Sequence, residues 1–86
     1  MTTIKVTNWE NFSPKEKLEI RNVFEQNGFV GIDELSDKGI VTTPDPLDIG
    51  EMGPLALAFS MVFKWWDLSL GGKGEEFTLT LIRPVN

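Results

Sequence analysis

Eighty-six residues with neither cysteine nor histidine suffice for one small core and exclude disulfides, thiolate or imidazole metal ligands, and the commonest general acid–base side chain. Thirteen acids against eight bases give a formal charge of −5, which repels a phosphate backbone and makes direct nucleic-acid binding an unfavourable expectation. The chain reads as a single domain over 1–86, cytoplasmic, with no basic-then-apolar leader and no apolar run of membrane-spanning length.

Ile4 and Val6 alternate with Lys5 and Thr7, the period of a half-buried strand ending near Asn8. Trp9 and Phe12 follow in a short connection. Their simplest role is to close one end of the core, but Trp9 is also a candidate partner-binding residue if it is exposed.

Ser13-Pro14-Lys15-Glu16 is a capping box, in which the serine hydroxyl and the glutamate carboxylate each accept from a backbone N–H at the helix start. Ile20, Val23 and Phe24 supply the buried face of that helix, whereas Leu18 falls on the opposite side. Asn27-Gly28 gives a left-handed ending, with Phe29 placed to contact Phe24. Phe29–Leu35 then reads as a strand, joined through Ser36-Asp37-Lys38-Gly39 to a second strand, Ile40–Thr43. A rival is a short helix over Ile32–Lys38, against which Gly31 and the β-branched residues count.

Pro44–Gly53 has no periodic pattern and reads as a loop. It carries Asp45, Asp48 and Glu51, whose oxygens are the one candidate metal site, for Mg²⁺ or Ca²⁺. Their spacing is not that of an EF-hand, and acids in loops are ordinarily solvated or capping.

Pro54–Trp66, PLALAFSMVFKWW, reads as a helix with Gly53 as its N-cap and Pro54 in its first turn. At 100° per residue Leu55, Phe59, Val62, Phe63 and Trp66 share one face, while Leu57, Met61 and Trp65 lie outside it. This is more apolar surface than docking on one sheet requires. Either the domain wraps the helix closely, or Leu57, Met61 and Trp65 reach a partner or a second copy of the chain.

Asp67–Gly74 reads as a connection ending in a glycine-rich turn, and Phe77, Leu79 and Leu81 alternate with Thr78 and Thr80 as a clear strand before Pro84. An alternative pairs Trp66, Leu68 and Leu70 with Phe77, Leu79 and Leu81 as a hairpin, at the expense of the helix end.

The order strand, helix, strand, strand, helix, strand gives an α+β, ferredoxin-like βαββαβ fold: an antiparallel four-stranded sheet with two helices on one face. The open face would carry Lys5, Thr7, Thr78, Thr80 and Ile82. Outward positions Lys5, Thr7, Val41 and Thr43 offer no aromatic platform for RNA bases. No phosphate loop is formed by Gly71–Gly74, and no serine has a histidine to activate it.

No catalytic residue and no cofactor are therefore expected. The leading expectation is a non-enzymatic protein-binding domain, a small acidic inhibitor, adaptor or accessory subunit of viral or mobile-element type, with Leu57, Met61, Trp65 and Trp9 as its contact residues. The alternative is a small-molecule-binding regulatory domain that functions as a homodimer.

Overall fold

Every second residue of β1 (Thr2–Val6) is buried, with Thr2, Ile4 and Val6 turned inward and Lys5 outward, so the alternation in the sequence is that of a strand with one covered face. The computed structural model describes residues 2–29, 38–43 and 49–84, with only the backbone of Thr43 and of 49–52. A single 3₁₀ turn, Trp9–Asn11, leads from β1 to the first helix.

α1 (Pro14–Gln26) begins as its capping box dictates. The Glu16 amide donates to Ser13 Oγ at 3.2 Å, and the Ser13 amide donates to Glu16 Oε1 at 2.8 Å, so two orphan donors are satisfied reciprocally. The helix stops at a left-handed Gly28 (φ 82°), where the Phe29 amide donates to the Phe24 carbonyl at 3.1 Å and the two rings meet edge to face at 5.2 Å. Ile20, Val23 and Phe24 are buried, and Leu18 is exposed on the far side.

β2 (Ile40–Thr43) pairs antiparallel with β1, Ile4 opposite Val41. Of the hairpin expected over Phe29–Thr43, residues 30–37 lie outside the described residues. Phe29 is not in a strand, and Lys38, expected in a turn, has helical backbone. Val41 is fully buried beside Ile4, which corrects its assignment to the open face. The register puts Ile40 and Thr42 there instead, beside Lys5 and Thr3.

The second helix is shifted towards the N-terminus from its expected span. α2 runs Ile49–Val62 with Pro54 inside it, so the helix begins before Gly53 and ends four residues short of Trp66. The residues beyond Trp66 form a strand, not a connection. β3 (Asp67–Lys73) pairs antiparallel with β4 (Glu76–Ile82), with Leu68 opposite Leu81 and Leu70 opposite Leu79. The alternative hairpin read from the sequence is formed in part: Leu68 and Leu70 pair with β4, but Trp66 lies before the strand.

That extra strand changes the architecture. β4 lies beside β1 in parallel, and the sheet order is β2-β1-β4-β3. The fold is α+β with a mixed four-stranded sheet, so the expected all-antiparallel ferredoxin-like arrangement is corrected: two strands, not one, follow α2.

α1 and α2 contribute to one core with the inward face of the sheet. Ile4, Val6, Val41, Leu79 and Leu81 meet Ile20, Val23 and Phe24 of α1 and Leu55 and Phe59 of α2. Phe24 and Phe59 join the two helices edge to face at 5.0 Å, a geometry that adds to the area buried. The opposite face carries exposed Lys5, Thr78 and Ile82 with half-buried Thr7 and Thr80, and the Thr80 hydroxyl lies 3.3 Å from that of Thr7. Among the described residues no helix is long and apolar enough to cross a membrane.

Candidate protein-interaction face

α2 has an apolar residue on nearly every side because no charged residue occurs between Glu51 and Lys64. Leu55 and Phe59 recur one turn apart and are buried, and Phe63, one turn further and just past the helix end, completes that inward set. Leu57 and Met61 also stand one turn apart, and their helical angle places them opposite the buried row. They are 62% and 65% exposed. Val62, expected inward, is also exposed, because the helix ends there and the chain turns away.

The end of the helix determines which of two consecutive tryptophans is displayed. The Phe63 amide makes the last helical hydrogen bond, to Phe59 at 2.8 Å, and the Trp66 amide then closes a turn onto the Phe63 carbonyl at 3.3 Å. Trp65 occupies the third position of that turn with φ 73°, a conformation for which glycine is the usual residue. Its side chain is 88% exposed. A bulky side chain in the left-handed region costs on the order of 1–2 kcal/mol, and this one recovers little of that by packing.

Trp66 turns the other way. Its ring stacks on Phe12 with centroids 6.1 Å apart and meets Phe63 edge-on at 5.1 Å, and the Arg83 guanidinium covers it at 5.4 Å. Arg83 is held in turn by an ion pair with Glu16 and a 3.4 Å hydrogen bond to the Asn11 carbonyl. Burial pushes the Glu16 carboxyl up, but the hydrogen bonds from Arg83 and from the Ser13 amide, together with the Arg83 charge, outweigh it and hold the group below its ordinary value. Arg83 therefore ties the end of β4 to the start of α1 across the face of Trp66. Nothing in the local sequence around Arg83 marks this role, which depends on strand pairing.

Of the residues expected to contact a partner, Leu57 and Met61 form one exposed ridge and Trp65 stands just beyond its C-terminal end. Trp9 does not join them. It is 5% exposed, lies under the Lys17 ammonium at 5.5 Å from its ring centre, and packs beside Phe12, so it closes the core and is removed from the candidate surface. The expected metal ligands Asp45 and Asp48, and the side chain of Glu51, lie outside the described residues. Among the described residues no group of three acids is placed to hold a metal ion.

The charge is unevenly distributed along the chain. Asp33, Glu34, Asp37, Asp45, Asp48 and Glu51 fall between positions 33 and 51 with Lys38 as the one base, and the other acids are balanced by the other bases. The stretch from Met52 to Trp66 carries only Lys64, so the Leu57–Trp65 region is close to neutral, as the centres of protein interfaces tend to be.

No protein-family model, no curated protein and no solved structure matches this chain.

Proposed function

We propose that the protein is a non-enzymatic protein-binding domain, acting as a small inhibitor, adaptor or accessory subunit, which docks through the Leu57–Met61 ridge of α2 with Trp65 as the anchor. The observation that carries this reading is Trp65 itself, nearly fully exposed at a backbone position that glycine would occupy at lower cost. Tryptophan is the residue most enriched among the side chains that dominate binding energy, because it buries a large rigid surface when a partner closes over it. Leu57, Met61 and Val62 are exposed as well, and exposed apolar side chains grouped together mark interaction sites.

The test is affinity capture from the native source with the tagged full chain, alongside a Met61→Ala variant and an unrelated domain of the same net charge. One protein held in stoichiometric amount by the wild type, held weakly by Met61→Ala and absent from the control supports the reading. Equal retention by wild type and Met61→Ala, or no retained protein, removes it.

A further inference from the structure

β3 is an edge of the sheet: in the order β2-β1-β4-β3 it pairs with β4 on one side, and no described strand covers the other. Such an edge offers a row of backbone N–H and C=O groups to another strand, and natural proteins ordinarily block it with charges, proline or a bulge. Between Leu68 and Gly72 β3 has no charged residue and no proline. Its two charges stand at its ends, Asp67 and Lys73, both exposed.

Those ends are placed symmetrically about Leu70. If the strand is laid antiparallel against its own copy with Leu70 facing Leu70, Asp67 of each copy stands opposite Lys73 of the other. Leu68 then faces Gly72, large against small, and Ser69 faces Gly71. The faces also match. Asp67 and Lys73 oppose Ile82 and Glu76 in the hairpin and project from the open face of the sheet, whereas Leu68 and Leu70, opposite Leu81 and Leu79, project from the core face. A pairing shifted by one residue would lose both ion pairs and set apolar against polar positions.

We propose that the protein forms a two-fold symmetric homodimer by antiparallel pairing of β3 with β3 of a second copy, joining the two sheets edge to edge. The symmetry is isologous, so one self-complementary strand satisfies both sides. The strand itself carries one acid and one base, so it brings no net charge to the contact. The dimer uses the sheet edge and not the α2 ridge, so it stands or falls independently of the docking reading and leaves Leu57 and Met61 available to a partner.

Sedimentation velocity of the full chain over a concentration series up to about 1 mM tests it, because self-association of this kind is driven by mass action. The expected species is twice the 9.7 kDa chain mass. Asp67→Lys places like charges opposite one another at both ends and should weaken the dimer by about tenfold or more, and the exchange Asp67→Lys with Lys73→Asp should restore it. Circular dichroism checks that each variant is folded; if Asp67→Lys is not, Asp67→Ser, which removes both ion pairs and adds no charge opposite Ile82, should weaken the dimer in the same direction. A chain that stays monomeric throughout overturns the proposal. So does a dimer indifferent to the single substitutions, or one that the double exchange fails to restore.

Discussion

Gly39 packs directly against Trp9: a Cβ added to Gly39 would lie 2.5 Å from the Trp9 Cβ and 2.7 Å from its Cγ. Gly39 also has φ +71°, and its carbonyl accepts from the Val6 amide at 2.7 Å, so neither the backbone nor the indole has an easy way to yield. Gly39→Ala combines a left-handed penalty with a steric clash. We expect a loss of about 2 kcal/mol or more, seen as a fall in thermal midpoint of roughly 10 °C in a domain of this size. An unchanged midpoint would mean that Trp9 is loosely held.

Trp65 gives the opposite kind of prediction. Trp65→Ala keeps a Cβ at φ 73° and removes a side chain that is 88% exposed, so its stability should stay within about 0.5 kcal/mol of the wild type. Trp65→Gly relieves the strain as well, and should be more stable than Trp65→Ala by about 1 kcal/mol. Urea denaturation of the two variants side by side decides this, and equal midpoints would show that the turn stores no strain.

Phe59 and Met61 are two residues apart on one helix and should respond very differently to truncation. Phe59 is fully buried against Phe24, so Phe59→Ala should cost about 3–5 kcal/mol, a large share of the total for so small a domain. Met61→Ala exchanges an exposed side chain for a better helix former and should be close to neutral. Similar losses from both would place Met61 in the core and remove the ridge.

The ion pair between Arg83 and Glu16 sets an acid limit on stability. Because the folded Glu16 carboxyl is held below its ordinary value, its contribution is fully present above the unfolded value of about 4.3 and is lost as pH falls through the lower folded value. Glu16→Gln should therefore lower the thermal midpoint near neutral pH yet lose less than the wild type on acidification. Parallel pH profiles would contradict this.

Much of the fold was legible because local chemistry specified it. The Ser13–Glu16 capping box, the Gly28–Phe29 ending and the alternation in β1 and β4 each have a short-range cause, and each appears as read. The second half was harder. Pro54 suggested a helix start although the structure continues the helix ahead of it, and the apolar Trp65-Trp66 pair extended the helical pattern past its real end. β3 was legible only as an alternative, because Gly71 and Gly72 interrupt its alternation, and with that stretch read as a connection the parallel pairing of β1 with β4 had no place in the order of elements. In the candidate face, Leu57 and Met61 followed from helical spacing alone. The opposite fates of Trp65 and Trp66 did not, since they depend on one positive φ and on Arg83, seventeen residues further along the chain.

The most direct measurement is affinity capture with Trp65→Gly as bait beside the wild type, after both are shown to be folded. If Trp65 is displayed for a partner at a cost in stability, the Trp65→Gly chain should be at least as stable as the wild type and lose the specific, stoichiometric protein that the wild type retains. Retention of the same protein by both baits would contradict that claim, as would unfolding of Trp65→Gly, which would make the indole part of the fold.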